Sequence, residues 1–298
     1  TTEIYTLSLR DALPISCSKD AGIAAVNDKD ATFLCTTVNV PLDYSAPDGT
    51  TIQIALKKRP ASKKAMGTLF TDPGGPGGSG VNFVGNISGH FSSDLLDSYD
   101  VIGFDPRGVG QSTPITCWTD EDIHQVLTDA QNGKLSDIEP INRASSKTLS
   151  VQEKMDQGTA DAAACAQHSE VPELLDHVGT RDVARDLDIL RATNGNAKLN
   201  YLGTSYGTYI GAIYADLFPD HVGRAVLDGA MDPSQRWTDG EAETTAFKEG
   251  VLRQYVEHCR TQKGCRLTGS TDEAIAQLAA FVDGLDQDPL TAPDSNVT

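Results

Sequence analysis

The sequence predicts an α/β fold built on a doubly wound, mostly parallel sheet. Between Thr180 and Leu227, segments of helical periodicity alternate with short apolar segments, a pattern typical of parallel sheets with helices on both faces. The apolar segments 68–71 and 101–104 are continuous rather than alternating, as strands buried on both faces are. Each of these two segments is followed by a turn rich in glycine or aspartate, where a chain leaving a buried strand can change direction.

Local patterns set the expected bounds of the elements. We predict strands at 36–40, 51–58, 68–71, 101–104, 199–203 and 222–227, and helices at 180–193, 206–218, 241–259 and 271–285. Segment 51–58 alternates apolar with polar residues, which predicts a half-exposed strand with Lys57 on its exposed face. Thr180 is expected to cap the helix that follows it, because its hydroxyl can accept a hydrogen bond from a free backbone N–H group.

Composition divides the chain into three regions. Residues 1–16 resemble a translated sequencing adapter rather than natural protein, so we expect the native sequence to begin after them. Residues 17–232 are predicted to form the α/β core, with a polar, helical insertion at 119–170. Residues 233–298 show only helical patterns and are expected to begin a helical cap.

The charge excludes several classes of partner. The 298 residues carry 42 acidic and 24 basic side chains, a net charge of −18. Nucleic acids and anionic membranes bind clustered Lys and Arg, so we expect neither as a partner. No apolar run approaches the roughly 20 residues that span a membrane. The acidity favours solubility, and it could also steer a cationic substrate such as a free peptide amine.

The six cysteines suggest a disulfide-bonded protein. We predict bridges between sequence neighbours, namely Cys17–Cys35, Cys117–Cys165 and Cys259–Cys265. Disulfides persist in oxidising compartments, so the even count favours an exported protein, although these residues contain no recognisable signal peptide. The sequence has no C-x-x-C pair, which argues against a zinc ribbon, and we expect neither a metal nor a cofactor.

The strongest motif is G-T-S-Y-G at 203–207, which fits G-x-S-x-G and lies between a predicted strand and a predicted helix. In that context the serine occupies a tight, strained turn, and the helix N-terminus favours negative charge that develops beside it. Ser205 is therefore the predicted nucleophile. The alternative, a chance match on an ordinary turn, leaves the flanking strand and helix unexplained.

A second motif, D-P-G-G-P-G-G-S-G at 72–80, follows a predicted strand. Bare N–H groups in such a loop can approach a ligand oxygen, and we predict an oxyanion hole formed by the N–H groups of Gly75 and Tyr206. The loop also matches the dinucleotide fingerprint G-x-G-x-x-G, with Asp105 as the ribose-binding acid of a Rossmann oxidoreductase. Pro76 would remove a donor from that phosphate cradle, and the fingerprint leaves the serine motif unexplained.

A third motif, F-D-P-R-G-V-G-Q-S at 104–112, follows the next predicted strand. We interpret it as a rigid, ion-paired turn that contains Asp105 and Arg107, and we expect no catalytic role for Arg107. The three motifs, with V-L-D-G at 226–229, resemble the secreted tripeptidyl aminopeptidases, which belong with the prolyl aminopeptidases to one α/β-hydrolase family. The resemblance extends over about residues 33–290. It implies export, a helical cap over the site, and cleavage near the free N-terminus of a peptide substrate.

One departure concerns the catalytic triad, which in this fold runs Ser, acid, His along the chain. After Ser205 the sequence predicts one strand and then only helices, so we expect the triad Asp and His to lie outside these 298 residues. A serine without its base is a poor nucleophile, and this chain alone is expected to be inactive. Asp228 directly follows a predicted strand, but the resemblance does not make it the acid. We expect His221 and His258 to be surface residues.

The sequence therefore favours a serine exopeptidase that releases short peptides or single residues through an acyl-enzyme. Two alternatives remain open: an esterase or lipase on the same fold, and a non-catalytic hydrolase-like binding protein. An acidic lining that binds a free amine would favour the peptidase over the esterase. Lack of an Asp and a His in the remaining sequence would favour the binding protein.

Overall fold

The structure is a computed structural model that describes residues 15–16, 33–132 and 150–285. These residues form two compact units. The first unit contains the described parts of 1–118 and 159–233, and the second contains those of 119–158 and 234–298. The insertion predicted at 119–170 is thus shared between the units, and its first part joins the segment predicted as a cap.

Seven strands form one mixed sheet in the order β1-β2-β3-β5-β4-β6-β7. Their bounds are β1 Ile15–Ser16, β2 Leu34–Pro41, β3 Thr51–Arg59, β4 Gly67–Asp72, β5 Tyr99–Phe104, β6 Leu199–Thr204 and β7 Val222–Asp228. Strands β1, β2 and β3 pair antiparallel, as do β3 and β5, whereas β5, β4, β6 and β7 are parallel to one another. All six predicted strands are confirmed, and β1 lies in the region set aside as adapter-like.

Eight α-helices accompany the sheet in the described part of the chain. Their bounds are α1 Gly80–Gly85, α2 Ser93–Ser98, α3 Asp120–Gln131, α4 Val151–His168, α5 Thr180–Thr193, α6 Tyr206–Leu217, α7 Trp237–Thr261 and α8 Thr271–Gly284. The four predicted helices correspond to α5, α6, α7 and α8. Helices α1 and α2 were not predicted, because six residues are too few to show a helical period.

The sheet of the first unit is covered on both faces. Helices α5 and α6 pack on one face, where Leu187, Leu190, Ile210 and Tyr214 join the main apolar core with residues of the strands. Helices α1 and α2 cover the other face, where Val84 packs in a smaller apolar cluster. This three-layer arrangement confirms the predicted α/β class.

Two local predictions were wrong. Lys57 is buried rather than exposed, because α1 covers its face of β3 and its ammonium lies 4.9 Å from the centre of the Phe33 ring. Gly179, not Thr180, is the N-cap of α5. The Thr180 hydroxyl instead shares a hydrogen bond of 2.6 Å with the hydroxyl of Tyr206. In both cases a contact with a residue distant in sequence replaces the local preference.

The second unit is helical. Helices α7 and α8 contact each other, and Arg253 of α7 forms an ion pair of 2.6 Å with Asp272 of α8. Ser270 and Glu273 form a capping box at the start of α8. Among the described helices of either unit, none is long and apolar enough to cross a membrane.

Candidate active site

Ser205 lies at the turn between β6 and α6, with φ 54° and ψ −121°. It is the only residue other than glycine with a positive φ in the described part of the chain. Such a conformation costs an L-residue on the order of 1–3 kcal/mol and persists only where surrounding contacts enforce it. The turn places the serine at the carboxyl end of a parallel strand and at the N-terminus of a helix.

The flanking glycines allow this turn to pack closely. A Cβ atom on Gly203 would collide with the carbonyl oxygen of Gly207. A Cβ atom on Gly207 would lie 2.6 Å from the carbonyl oxygen of Asp72 at the end of β4. The motif therefore has its two glycines because the strand, the turn and the neighbouring strand leave no room for side chains.

The glycine-rich loop that follows β4 packs directly on the Ser205 turn. A Cβ atom on Gly74, whose φ is +89°, would lie 2.7 Å from the backbone nitrogen of Tyr206. The Gly74 N–H group donates to Asp72 Oδ1 at 2.8 Å, so it is not available to a ligand. The next N–H group in the loop belongs to Gly75 and has no acceptor within the described residues. The oxyanion role of Gly75 stays a prediction, and the close packing of Gly74 on the Ser205 turn is a contact that the sequence did not indicate.

Asp72 is a buried carboxyl group beneath this loop. Its side chain is 1% exposed, and Oδ2 has no hydrogen-bond partner in the described part of the chain. Burial raises the pKa of Asp72 to about 7; the Gly74 N–H group opposes this shift and the nearby Asp105 adds to it. The group therefore prefers its neutral form until near-neutral pH.

The turn at 104–112 was predicted to be ion-paired, and this prediction is wrong for Asp105 and Arg107, which do not pair with each other. Asp105 binds no cation: its carboxylate accepts hydrogen bonds from Ser79 Oγ at 2.6 Å, Val81 N at 3.0 Å and Gln111 N at 2.8 Å. These bonds join the turn to the N-terminus of α1. Asp105 therefore has a structural role, since both of its carboxylate oxygens already accept hydrogen bonds from this protein, which disfavours the ribose contact of the Rossmann alternative.

Arg107 pairs instead with Asp186 of α5. Arg107 Nε donates to Asp186 Oδ2 at 2.8 Å, and Nη2 donates to Oδ1 at 2.6 Å. The remaining N–H groups bind the backbone carbonyls of Leu42, His177 and Pro41. All five donors of the guanidinium are thus used within the protein. This agrees with the structural role expected for Arg107.

The end of β7, the first turn of α6 and Met231 hold the Ser205 turn from the other side. The backbone N–H of Ser205 donates to the carbonyl oxygen of Asp228 at 2.8 Å. Thr208 Oγ1 donates to the carbonyl oxygen of Ser205 at 2.6 Å and accepts from the Met231 N–H at 2.9 Å. Asp228 therefore contributes through its backbone. Nothing in the sequence indicated the role of Thr208 beyond its position next to the motif.

A pocket of about 370 Å³ opens beside this turn. Its lining includes Gly74, Pro76 and Gly77 of the glycine-rich loop and Tyr206, the residue after Ser205. Its other walls come from the 106–109 turn and from α5 and α6. Ser205 itself is not part of the lining, but its neighbour Tyr206 is, and the cavity has the size of small-molecule sites.

Of the two histidines considered in the sequence, His221 lies far from Ser205 and His258 belongs to the second unit. His221 precedes β7, and β6 and β7 are parallel, so it lies at the opposite edge of the sheet, roughly 20 Å away over six strand residues. His221 Nδ1 forms a hydrogen bond of 2.8 Å with Asp188 Oδ1, which also accepts from Tyr214 OH. His258 is exposed on α7 of the second unit.

Two of the three predicted disulfides are present. Cys117 is bonded to Cys165, and Cys259 is bonded to Cys265. Cys35 is also disulfide-bonded, but Cys17 lies outside the described residues, so the third pair stays a prediction. Across the ranges 33–132 and 150–285, no group of three His, Cys, Asp or Glu side chains is placed to hold a metal ion.

Comparison with protein families identifies one match. Residues 72–295 match the family described as having the alpha/beta hydrolase fold. The match begins at the buried end of β4 and includes the glycine-rich loop, the Ser205 turn and both long helices of the second unit.

Curated proteins similar to this chain include peptidases and an esterase. Tripeptidyl aminopeptidase of Streptomyces lividans is 39% identical over 230 residues, which are 75% of this chain and 40% of that protein. Serine protease Hip1 of Mycobacterium tuberculosis is 33% identical over 262 residues, 88% of this chain and 47% of that protein. Carboxylesterase B of Mycobacterium tuberculosis is 34% identical over 260 residues, which are 87% of this chain and 48% of that protein. The chain thus spans about half the length of the curated relatives it matches.

Proposed function

Because the chain belongs to the α/β-hydrolase family, we propose that Ser205 is the nucleophile of a serine peptidase that removes short peptides or single residues from free peptide N-termini. The observation that carries this proposal is the positive φ of Ser205 at a strand-to-helix turn enclosed by Gly74, Gly203 and Gly207. Strain of this kind concentrates at functional sites, where the surrounding structure enforces it.

The proposed chemistry begins with attack of Ser205 Oγ on the scissile carbonyl carbon. The carbonyl oxygen gains negative charge, and the N–H groups of Gly75 and Tyr206 would stabilise it. Gly75 fits this role because the neighbouring donor of Gly74 is bound to Asp72 and Pro76 has no N–H group. Tyr206 fits it as the first residue of α6, where the helix dipole also favours negative charge.

A general base must take the proton from Ser205, and we propose that the base and its acid come from a part of the whole protein beyond these 298 residues. Two facts support this: His221 lies at the opposite edge of the sheet, and the matched relatives extend over about twice this length. On this proposal the chain by itself gives no detectable peptide turnover.

The peptidase is favoured over an esterase by the relative of highest identity among the three above, which is named a tripeptidyl aminopeptidase. The net charge of −18 would also attract a substrate with a free amine. The esterase remains the second candidate, because carboxylesterase B is similar over nearly the whole chain. We further propose export, since disulfides of the kind found here persist in oxidising compartments.

The test uses the whole protein and an alkyl fluorophosphonate, which forms a covalent bond with activated serines. Wild type should be labelled, and Ser205→Ala should fold and lose labelling. Ser93→Ala, an exposed serine at the start of α2, is the control and should keep it. Labelling of Ser205→Ala at the wild-type rate would refute the assignment.

Substrate class is decided with three substrates of one sequence: a tripeptide nitroanilide with a free amine, its N-acetylated form, and the corresponding nitrophenyl ester. An exopeptidase that needs the free N-terminus cleaves the first and not the second. Cleavage of the ester alone would identify an esterase.

A further inference from the structure

We propose that the 370 Å³ pocket beside Ser205 binds an uncharged aliphatic group of the substrate and excludes charged groups of either sign. The assignment of this group to a substrate rests on the proposed function. The selectivity for uncharged groups does not, because it follows from the side chains that line the pocket.

The pocket walls are mainly apolar. Aliphatic side chains from the 106–115 turn, from the start of α5 and from α6 face it, namely Val109, Ile115, Val178, Val183 and Ile210. Val183 and Ile210 are buried, whereas Val178 is 40% exposed and lies at the rim. An aliphatic group that enters would remove its own surface and these walls from water, at about 25 cal/mol per Å² of apolar area.

An arginine in a pocket usually indicates an anionic ligand, but here it does not. Arg107 lines the pocket, yet its five N–H groups are all bonded to Asp186 and to three backbone carbonyls. The charge of Arg107 is balanced by Asp186 at 2.6 Å. A carboxylate or phosphate that entered would find no free donor on Arg107 and would lose part of its hydration.

A cationic ligand is excluded for a different reason. Asp72 also lines the pocket, but its side chain is 1% exposed and one carboxylate oxygen is bound to the Gly74 N–H group. An ammonium could reach the second oxygen only if the loop that carries Gly74 moved away from the Ser205 turn. The remaining polar pair, Thr180 and Tyr206, shares one hydrogen bond between its two hydroxyls and carries no charge.

The pocket is placed to select substrates. Tyr206 contributes both to its wall and, on the proposed mechanism, to the oxyanion hole, and Gly74 lines it while packing on the same turn. A group bound there is therefore held within a residue or two of the bond to be cleaved. At about 370 Å³ the pocket is near the lower limit for small-molecule sites, which suits one short aliphatic chain.

The experiment measures binding without catalysis, by methyl NMR of the protein labelled at Ile and Val methyl groups. Three probes of equal length are titrated: hexanamide, hexanoate and hexylammonium. We expect hexanamide to shift the Ile115, Val178 and Ile210 methyl signals saturably. Both charged probes should bind at least about tenfold more weakly, since an unpaired charge would have to be desolvated.

Two substitutions locate the binding. Val178→Trp fills the rim of the pocket and should weaken hexanamide binding by about tenfold or more, the loss expected when a bound aliphatic group is displaced. Met66→Trp is the matched control: Met66 is 72% exposed and precedes β4, at the opposite edge of the sheet from the pocket, so hexanamide binding should not change.

Each outcome is decisive. Equal binding of hexanoate or of hexylammonium would show that the pocket does not discriminate against charge, and either result overturns the proposal. Shifts absent from the pocket methyl groups, or unaffected by Val178→Trp, overturn it as well. Because these readouts need no active serine, failure of Ser205 labelling would refute the proposed function and leave this result standing.

Discussion

The hydroxyl of Thr208 donates a hydrogen bond of 2.6 Å to the carbonyl oxygen of Ser205, the residue with the strained backbone. The same hydroxyl accepts from the Met231 N–H at 2.9 Å, and the Ser205 N–H donates to the Asp228 carbonyl at 2.8 Å. Asp228 at the end of β7 thus binds the N–H of Ser205, and Thr208 of α6, itself bound by Met231, binds its carbonyl. These contacts supply the surroundings that such a conformation requires.

Thr208→Val should therefore disturb the Ser205 turn while keeping the shape of the side chain. The Met231 N–H loses its acceptor, which should lower the free energy of unfolding by about 1–3 kcal/mol. If roughly half of this lost free energy serves to hold Ser205 in its reactive geometry, the rate of its fluorophosphonate labelling in the whole protein should fall by about tenfold.

Thr208→Ser is the matched control for this substitution, because it keeps the hydroxyl and removes only a methyl group. It should label at nearly the wild-type rate even where its melting temperature is slightly lower. Equal labelling by the Val and Ser variants would show that the hydroxyl has no part in positioning Ser205.

Alanine substitutions at Gly74 and Gly77 should distinguish the cost of backbone strain from the cost of disturbed packing. Both have nearly the same backbone angle, φ +89° and +90°, but a Cβ on Gly74 meets the Ser205 turn, whereas a Cβ on Gly77 has no atom within 4 Å. Gly77→Ala should cost about 1–2 kcal/mol, the strain of a left-handed conformation. Gly74→Ala should cost clearly more and abolish labelling of Ser205. Equal losses in chemical denaturation would contradict the close packing of Gly74.

Asp72 should make the protein less stable as the pH rises through the acidic range. Its pKa in the folded state is about 7 and its ordinary value is 3.8, so between these values the folded protein holds a proton that the unfolded chain has released. Stability attributable to Asp72 therefore falls from about pH 4 to about pH 7 and is constant above. At about 1.4 kcal/mol per unit, the loss is at most on the order of 4 kcal/mol.

Asp72→Asn removes this titration, so its stability relative to wild type should improve as the pH rises from 4 to 7. Urea denaturation across that range measures the difference. Asp43→Asn is the control: hydrogen bonds from Ser45 lower the pKa of Asp43 below its ordinary value of 3.8, so its contribution is lost only below about pH 4 and the difference for this variant should stay constant from pH 4 to 7. A pH-independent difference for Asp72→Asn would contradict its burial as an acid.

The Arg107–Asp186 pair should be costly to break from one side. Arg107→Met leaves Asp186 buried without its cation and should lower the free energy of unfolding by about 3–5 kcal/mol. Arg107→Lys should recover only part of this loss, because an ammonium has three donors and a different geometry. Arg236→Met removes an exposed pair with Asp239 and should cost less than about 1 kcal/mol. Thermal unfolding of the three variants tests this order, which would be contradicted if the buried and exposed pairs cost the same.

The sequence alone was sufficient for the fold class, all six predicted strands and the four helices α5 to α8. These features are encoded locally, because the period of apolar residues reports which side of an element is buried. The G-x-S-x-G motif was equally local: its glycines and its serine act within five residues, so their spacing indicated the turn before any tertiary contact was known. Two of the three disulfides also followed from sequence order.

Contacts between distant residues were decided only by the tertiary structure. Arg107 lies 79 residues from Asp186, and nothing in the 104–112 motif distinguished that partner from the nearer Asp105. Lys57 is buried because α1 covers its face, and Thr180 binds Tyr206 instead of capping its own helix. The charge-neutral lining of the pocket depends on the Arg107–Asp186 and Thr180–Tyr206 pairs. A side chain's chemistry is read from the sequence, but whether its donors and charge are free is set by the elements that fold against it.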